Sequence, residues 1–226
     1  MRTETDNILV IGDTHEPFSK KKYLEFCYDT GKRFKCSLTV HIGDLVDNHS
    51  INYHEHYPDG MSPFEEIKAA RKKLKEWYKA FPRVMMCKGN HDILVERKAI
   101  TYGFSEMVIK QFREIWEIPD GWEYQWSYDL CGVRFEHGTG YSGQYPHQNI
   151  AKVNRKSTVI GHCHSVAGVA YMANDNSLIF GMSTGSGIDR QKYAFWYGRA
   201  FKNKPIIGCG VVLNCGKEAQ FIPMKL

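Results

Sequence analysis

Five short segments of the sequence combine aspartate, histidine and asparagine with glycine, residue types that bind divalent cations and transfer protons. They are Gly12-Asp13-Thr14-His15, Gly43-Asp44-Leu45-Val46-Asp47, Gly89-Asn90-His91-Asp92, His137-Gly138 and Gly161-His162-Cys163-His164. Five of the ten histidines of the chain fall in these segments. Carboxylate oxygens and imidazole nitrogens suit hard or borderline cations, whereas structural zinc sites are usually built on cysteine thiolates. The segments therefore indicate metal-assisted chemistry rather than a structural zinc site.

The spacing within two of these segments favours a common site. Asp13 and His15 are two residues apart, as are His162 and His164, so each pair can project to one side where a strand runs into its loop. Each segment alone is a weak signal, because a Gly-Asp pair usually marks a turn and a lone histidine is usually a surface or capping residue. All five together predict one small site.

Short apolar or β-branched runs lie beside these segments and predict the strands that position them. The predicted strands cover residues 7–12, 37–43, 83–88, 133–136 and 157–161. Helices predicted between the first three strands imply crossover connections and a mainly parallel sheet. Ligands of such a sheet bind beyond the carboxyl ends of its strands, where the five segments lie.

The clearest predicted helix covers residues 62–81. Ser62 is a suitable N-cap, Pro63 a suitable first residue, and Glu65 completes a capping box. Six lysines and arginines on its other face form either a solvated surface or a contact for a phosphate backbone. Two further helices are predicted over residues 20–32 and 92–116.

The second half of the chain has the pattern of β-hairpins. Strand-like pieces with turn signals between them cover residues 166–172, 177–182, 210–214 and 219–223. We expect these hairpins to form a second sheet that faces the first. The chain contains no repeat and no obvious linker, so we expect a single domain over residues 1–226.

The composition and the short apolar runs argue against a membrane-spanning protein and against a secretory signal. The chain has 226 residues, of which 42% are hydrophobic and 24% charged, as in ordinary globular proteins with a sizeable core. Its apolar runs are shorter than the roughly 18 residues that span a bilayer, and acidic residues stand where a secretory signal has a basic region. The net charge of +5 slightly favours anionic partners. We expect a protein without membrane contacts.

The cysteines indicate a reducing compartment. There are seven, an odd number, and no two form a C-x-x-C pair. This pattern predicts neither a disulfide framework nor a zinc knuckle. We therefore expect a cytoplasmic location.

The order D-x-H, G-D-x-x-D, G-N-H-D, H-G, G-H-x-H, from Asp13 to His164, closely resembles the signature of the calcineurin-like metallophosphoesterase superfamily. The resemblance implies an α/β protein, a four-layer αββα sandwich of two facing mixed sheets flanked by helices. It also implies two divalent metal ions at the carboxyl edges of the sheets, and a hydroxide between them that attacks a phosphoester in line. The chain as a whole looks like the short phosphoesterases that bacteriophages encode, which would place it in the host cytoplasm.

The family's metal ligands carry over to seven positions of this chain. The resemblance assigns Asp13, His15 and His164 to one metal, Asn90, His137 and His162 to the other, and Asp44 to a bridge between them. A bridging carboxylate offsets the repulsion between two dications about 3.5–4 Å apart. We expect Mn²⁺, while Fe, Zn, Co and Ni can also occupy such sites.

The same resemblance implies roles for the residues beside the ligands. His91 would protonate the leaving group, with Asp92 orienting its ring, and Asn90 and His91 would contact substrate. His49 either lines the substrate cleft as well or belongs to a polar loop with exposed imidazoles. Asp47 either supports the site from behind or caps a loop.

Departures from the family's branches bear on the substrate. The phosphoprotein phosphatase branch has an arginine that clamps phosphate where this chain has Asn48, followed here by His49. We therefore expect a phosphodiesterase whose substrate is a nucleotide, a small diester or a nucleic-acid end. The alternatives are a phosphomonoesterase, including a phosphoprotein phosphatase, a non-catalytic binding module on the same fold, and a protein with a single structural metal.

Overall fold

Two β-sheets face each other, with helices on their outer sides, in the computed structural model, which describes residues 6–225. The strands are β1 (Ile8–Ile11), β2 (Leu38–His41), β3 (Val84–Cys87), β4 (Trp122–Gln125), β5 (Ser127–Leu130), β6 (Val133–Glu136), β7 (Thr158–Ile160), β8 (Ala167–Asn174), β9 (Ser177–Thr184), β10 (Gly208–Leu213) and β11 (Glu218–Pro223). The helices are α1 (Tyr23–Arg33), α2 (Pro63–Ala80), α3 (Leu94–Thr101), α4 (Phe112–Ile115) and α5 (Pro146–Asn154), with 3-10 turns at His49–Ile51, Glu106–Val108 and Tyr193–Ala200. The chain is therefore a mixed α/β protein, as predicted.

Both sheets are mixed, and each has parallel strands at its centre. The first sheet has the order β11-β10-β1-β2-β3-β4, and the second has the order β5-β6-β7-β9-β8. Strands β1 to β4 pair in parallel, as do β6, β7 and β9, whereas β5, β8, β10 and β11 are antiparallel to their neighbours. The parallel strands bring the carboxyl ends of β1, β2, β3, β6 and β7 to the facing edges.

Alternation along β1 explains the layers. Leu9 and Ile11 pack against residues of α1 and α2, such as Trp77, on the outer face of the first sheet. Ile8 and Val10 face inward and belong to the core between the two sheets. Helix α5 covers the other side of the second sheet, mainly over β9 and β7. Each sheet is thus covered by helices on one face and by the other sheet on its second face, which gives four layers.

Helix α2 begins with the capping box that the sequence predicts. The Ser62 hydroxyl accepts the N–H of Glu65, and the Glu65 carboxylate accepts the N–H of Ser62 at 2.9 Å. Pro63 occupies the first helical position, where no N–H is needed. The helix buries Leu74 and Trp77 against the first sheet.

The prediction of one helix over residues 92–116 is wrong. Helix α3 ends at Thr101, and Gly103 follows with a φ of +76°. The N–H of Phe104 donates to the Ala99 carbonyl at 2.8 Å, a C-terminal cap that a left-handed glycine allows. The apolar residues beyond it lie in a 3-10 turn and the short helix α4.

The hairpin of β10 and β11 belongs to the first sheet, not to the second as the sequence suggested. Strand β10 pairs with β1, with Ile8 opposite Val212. A hairpin signal is local, whereas the sheet it joins depends on contacts far along the chain. Gly210 lies close against the opposing sheet, because a Cβ atom there would lie 2.6 Å from Cε of Met182.

Cys131 and Cys215 form a disulfide, contrary to the expectation from the cysteine count. They are 84 residues apart, and their Cα atoms lie 4.9 Å from each other. One is in the turn between β5 and β6 and the other in the turn between β10 and β11, so only the folded topology brings them together. Among residues 6–225, no helix combines the length and apolar character needed to cross a membrane.

Candidate metal centre

The five polar segments converge where the two sheets meet. Asp13, Asp44 and Asn90 follow β1, β2 and β3 of the first sheet, while His137 and His162 follow β6 and β7 of the second. The facing edges place side chains from distant parts of the chain in one buried cluster. All seven residues that the sequence nominates as metal ligands lie in it.

One group of potential ligand atoms comes from Asp13, His15, Asp44 and His164. One ligand atom from each lies within 4.8 Å of those of the other three. Nε2 of His164 is 3.0 Å from the Asp13 carboxylate and 3.2 Å from Nε2 of His15. Nε2 of His15 is 3.5 Å from Oδ2 of Asp44. These atoms have the spacing of groups that share one cation.

A second group comes from Asp44, His137 and His162, whose ligand atoms also lie within 4.8 Å of one another. Nε2 of His137 is 3.1 Å from Oδ2 of Asp44 and 2.9 Å from Oδ1 of Asn90. Asp44 therefore belongs to both groups. With Asn90 added through its contact with His137, the two groups contain the ligands that the family resemblance assigns to each metal, with Asp44 in common. A third group of potential ligand atoms, from His15, Asp47 and His91, has no counterpart in that assignment.

Glycines in the motifs let backbone and carboxylates approach closely. A Cβ atom at Gly89 would collide with the Asp44 carboxylate, and one at Gly161 would collide with that of Asp13. Gly43 has a φ of +108°, a conformation that favours glycine. The glycines in these segments therefore position the carboxylates rather than simply mark turns.

Contacts behind the cluster orient the imidazole rings. Nδ1 of His137 donates to the Ile42 carbonyl at 3.1 Å, which leaves Nε2 for the site. Nδ1 of His15 lies 2.6 Å from the Asp47 carboxylate. Burial raises the pKa of Asp47 to about 8. Asp47 thus lies behind the cluster, the first of its two predicted positions.

The charges in the cluster are strongly coupled. Burial would lower the pKa of His137, but the carboxylates of Asp44 and Asp13 raise it to about 10. Burial opposes ionisation of Asp44, yet the rings of His137 and His91 hold its pKa well below the usual value. Burial and His91 lower the pKa of His15. The Asp44 carboxylate thus remains ionised beside imidazoles that balance its charge, and a divalent cation would balance the same charge.

His91 stands at the border of the cluster. Its ring Nδ1 donates to the backbone carbonyl of Asp47 at 2.5 Å, and its backbone N–H donates to the Asp44 carboxylate at 2.8 Å. The side chain is 12% exposed. With Nδ1 engaged, Nε2 is the ring nitrogen available to a bound molecule.

The family model of the calcineurin-like phosphoesterases matches residues 7–178. The chain belongs to this family. Family membership and the two histidine–aspartate groups together indicate a divalent metal centre in a metal-dependent phosphoester hydrolase.

Several solved structures resemble this chain over most of its length, at low identity. YfcE, a phosphoesterase from E. coli, is 16% identical with a TM-score of 0.45, over 91% of this chain and 87% of that one. Vacuolar protein sorting 29 from Cryptosporidium parvum is 11% identical with a TM-score of 0.45, over 92% and 84%. Vps29 from Chaetomium thermophilum is 13% identical with a TM-score of 0.44, over 91% and 78%. No curated protein matches the chain in sequence.

Asp92 does not take the place that the family resemblance led us to expect. Its carboxylate accepts the backbone N–H groups of Leu45 at 2.9 Å, Val46 at 3.3 Å and Gly89 at 2.9 Å. It therefore ties the loop after β2 to the loop after β3, whereas Asp47 holds the ring of His91. The family resemblance implied an orienting contact, but the side chain turns toward the backbone donors.

His49 is also placed differently from the expectation. It is 2% exposed, and its N–H and that of Ser50 donate to the Glu66 carboxylate at 2.7 and 2.8 Å. Its ring meets the edge of Tyr193, with 5.4 Å between centroids. The side chain is thus packed beneath the site rather than open to substrate. Sequence reasoning missed Glu66, a buried acid in the first turn of α2 whose carboxylate fixes this loop.

His41 is buried at the end of β2, and its Nε2 lies 3.1 Å from the Thr14 hydroxyl. Sequence reasoning also missed a cavity of about 640 Å³ that borders His162 and His164. Most of the residues that line this cavity belong to one stretch of chain, residues 188–205, which we call the 188–205 segment. The high density of aromatic and basic residues in this segment is the sequence signal that could have indicated a binding surface.

Proposed function

We propose that this chain is a single-domain, dinuclear metal-dependent phosphodiesterase. The observation that carries the proposal is the position of Asp44. Its Oδ2 lies 3.5 Å from Nε2 of His15 in one group of potential ligands and 3.1 Å from Nε2 of His137 in the other. A carboxylate between two groups of ligands is the arrangement that two neighbouring cations require.

The residues present fit a pair of divalent ions. Oδ1 of Asp13 is buried and has no hydrogen-bond partner among residues 6–225, although a buried carboxylate oxygen normally has one. A cation would satisfy it. Asp13, His15 and His164 would hold one ion, Asn90, His137 and His162 the other, and Asp44 both. We propose Mn²⁺, because the donors are oxygen and imidazole nitrogen.

When bound, two such ions stabilise charge on the phosphoryl oxygens and lower the pKa of a water molecule, so that it can act as a nucleophile near neutral pH. The chain's own contribution at the leaving group is His91. Nδ1 of His91 donates to the Asp47 carbonyl, so in the imidazolium form of the ring Nε2 carries the second proton and can deliver it to the departing oxygen. Nε2 of His137 faces Asn90 and Asp44, so this imidazole is assigned to the metal rather than to proton transfer.

The surroundings of Asn48 support a diester substrate. Its Nδ2 donates to the His91 carbonyl at 2.9 Å, so its side chain is committed to the protein. It is also uncharged, whereas a clamp for a dianionic monoester would carry charge. A diester has one negative charge fewer on phosphate and needs no such clamp.

The test is hydrolysis of bis-p-nitrophenyl phosphate and p-nitrophenyl phosphate by protein first stripped with EDTA and then supplied with Mn²⁺. We expect no activity in the stripped protein, recovery with Mn²⁺, and faster hydrolysis of the diester. Faster hydrolysis of the monoester would favour a phosphomonoesterase. Activity that persists after the metal has been shown to leave would contradict the metal-dependent mechanism.

A further inference from the structure

The 188–205 segment has an unusual composition. It contains five basic residues and one acidic residue, a net charge of +4 within a chain whose total is +5. Five of its eighteen residues are aromatic. It also lies beyond residue 178, where the match to the family model ends. Its chemistry is therefore a property of this chain that family membership does not account for.

The segment is firmly attached beside the metal centre. The N–H of Asp189 donates to the Phe18 carbonyl at 2.9 Å, and Ile188 pairs with Ser19 in an isolated β-bridge. Phe195 is 6% exposed, and its ring meets the edge of His15 with 5.8 Å between centroids. The segment thus packs directly on the loop that carries a predicted metal ligand.

Aromatic rings form part of the cavity between the segment and the metal centre. Tyr197 lines the cavity, and its ring stacks on His54, with centroids 4.3 Å apart and an interplanar angle of 10°. Phe201 also lines it and meets the edge of Tyr197 at 6.3 Å. Rings held by their neighbours provide a preorganised surface for another planar group.

Cationic side chains border the same cavity. Arg190 and Arg199 line it and are exposed, so both guanidinium groups can meet an anion. Nζ of Lys204 is used inside the protein, because it donates to the carbonyls of Gly198 at 3.3 Å and Arg199 at 2.8 Å. Lys204 therefore fixes the end of the 3-10 turn, and the two arginines supply the charge.

A ligand of this cavity must combine a planar aromatic group with negative charge and reach His162 and His164. A volume of about 640 Å³ lies within the range of roughly 300–1,000 Å³ typical of small-molecule sites. An alkyl or lipid chain would not use the arginines, and a sugar phosphate would not use the rings. A nucleotide uses both, through base stacking and phosphate contacts.

We propose that this cavity binds the nucleoside portion of a nucleotidyl phosphodiester, with the base against Tyr197 and Phe201 and the arginines beside its phosphates. The inference rests on the proposed phosphodiesterase activity and specifies its substrate. The 188–205 segment would then be the specificity element of the enzyme, and Tyr197 and Arg199 its main contacts.

Two esters with the same leaving group test the proposal. The p-nitrophenyl ester of thymidine 5′-monophosphate and methyl p-nitrophenyl phosphate both consume water and release p-nitrophenol, and they differ only in the retained alcohol. We expect kcat/KM to be about tenfold or more higher for the nucleotidyl ester, mainly through KM, as expected for stacking of one base. Equal kcat/KM values would overturn the proposal.

Matched variants locate the effect. Tyr197→Ala should lower kcat/KM for the nucleotidyl ester about five- to tenfold relative to kcat/KM for the methyl ester, because only the nucleotidyl ester has a base that can stack. Arg199→Ala should raise KM about five- to tenfold for both esters, because both carry the phosphate. Trp196→Ala and Lys202→Ala are the controls, since both residues belong to the segment but do not line the cavity. Equal effects of Arg199→Ala and Lys202→Ala would show that only the overall positive charge of the segment matters, and would contradict the proposal.

Calorimetric titration of the metal-loaded protein with thymidine 5′-monophosphate supplies a readout independent of catalysis. We expect Arg199→Ala to weaken binding about tenfold and Lys202→Ala to leave it unchanged. If neither ester is hydrolysed but this pattern holds, the proposed function fails and the nucleotide site stands. If both esters are hydrolysed and binding does not distinguish the variants, the function stands and the site is refuted.

Discussion

Asp47 contacts two imidazoles of the site through different atoms: its backbone carbonyl accepts from Nδ1 of His91 at 2.5 Å, and its carboxylate lies 2.6 Å from Nδ1 of His15. A side-chain substitution removes the carboxylate, which also lies 3.7 Å from Nδ1 of His91, and leaves the carbonyl hydrogen bond in place. Such a substitution therefore separates the carboxylate's support of His15 from the hydrogen bond that orients His91.

Replacement of His91 tests the acid role. His91→Ala should keep both metals and slow hydrolysis of a diester with a ribose alkoxide leaving group by about 10²–10⁴-fold. The loss should be much smaller for bis-p-nitrophenyl phosphate, because p-nitrophenolate departs without a proton. Steady-state rates on the two substrates and metal analysis provide the comparison. Equal slowing on both, or loss of a metal, would remove the acid role.

Replacement of Asp47 should weaken metal binding and leave the dependence of the rate on the leaving group unchanged. Asp47→Ala removes the carboxylate behind His15, and such supporting contacts typically contribute about 10–100-fold to metal affinity. The carbonyl contact to His91 persists, so the ratio of rates on the two leaving groups should match that of the wild type when Mn²⁺ is saturating. Mn²⁺ titration of activity measures both quantities. A changed ratio with unchanged Mn²⁺ affinity would show that the carboxylate acts on His91.

Asp92 should matter for stability rather than for proton transfer. Asp92→Ala leaves three buried backbone N–H groups without their acceptor, at a cost of about 1–3 kcal/mol each. Urea denaturation of the metal-free protein should show a large drop in the free energy of unfolding, whereas the exposed control Asp120→Ala should change it little. A fully stable Asp92→Ala variant would contradict the structural role.

Substrate charge provides a further prediction. Because Asn48 is uncharged and bonded to the His91 carbonyl, diesters should be hydrolysed faster than phosphoserine peptides. Parallel assays with Mn²⁺ at matched concentrations measure the preference. A clear preference for phosphopeptides would reverse the assignment.

Local patterns predicted the elements that carry the site. Apolar runs ending in glycine and polar residues indicated β1, β2, β3, β6 and β7, and the capping box indicated α2, since all of these signals lie within a few residues. The grouping of ligands around Asp44 followed from the family resemblance, and the structure brings the same residues together.

Features that depend on distant contacts were not predictable. Three features each join residues far apart in sequence or element: the pairing of β10 with β1, the disulfide of Cys131 with Cys215, and the hydrogen bond from the His49 N–H to the Glu66 carboxylate. The role of Asp92 was inferred from the family resemblance, whereas its hydrogen-bond partners are mostly in another loop. The cavity arises from the packing of the 188–205 segment on the site, which its composition alone does not specify.

The central claim is that Asp44 joins two metal sites, and metal stoichiometry tests it most directly. Protein stripped and then dialysed against Mn²⁺ should contain two ions per chain by elemental analysis, and Asp44→Asn should lose the pair, because the charge that offsets the repulsion of two dications is removed. One ion per wild-type chain, or two tightly bound ions in Asp44→Asn, would contradict the claim.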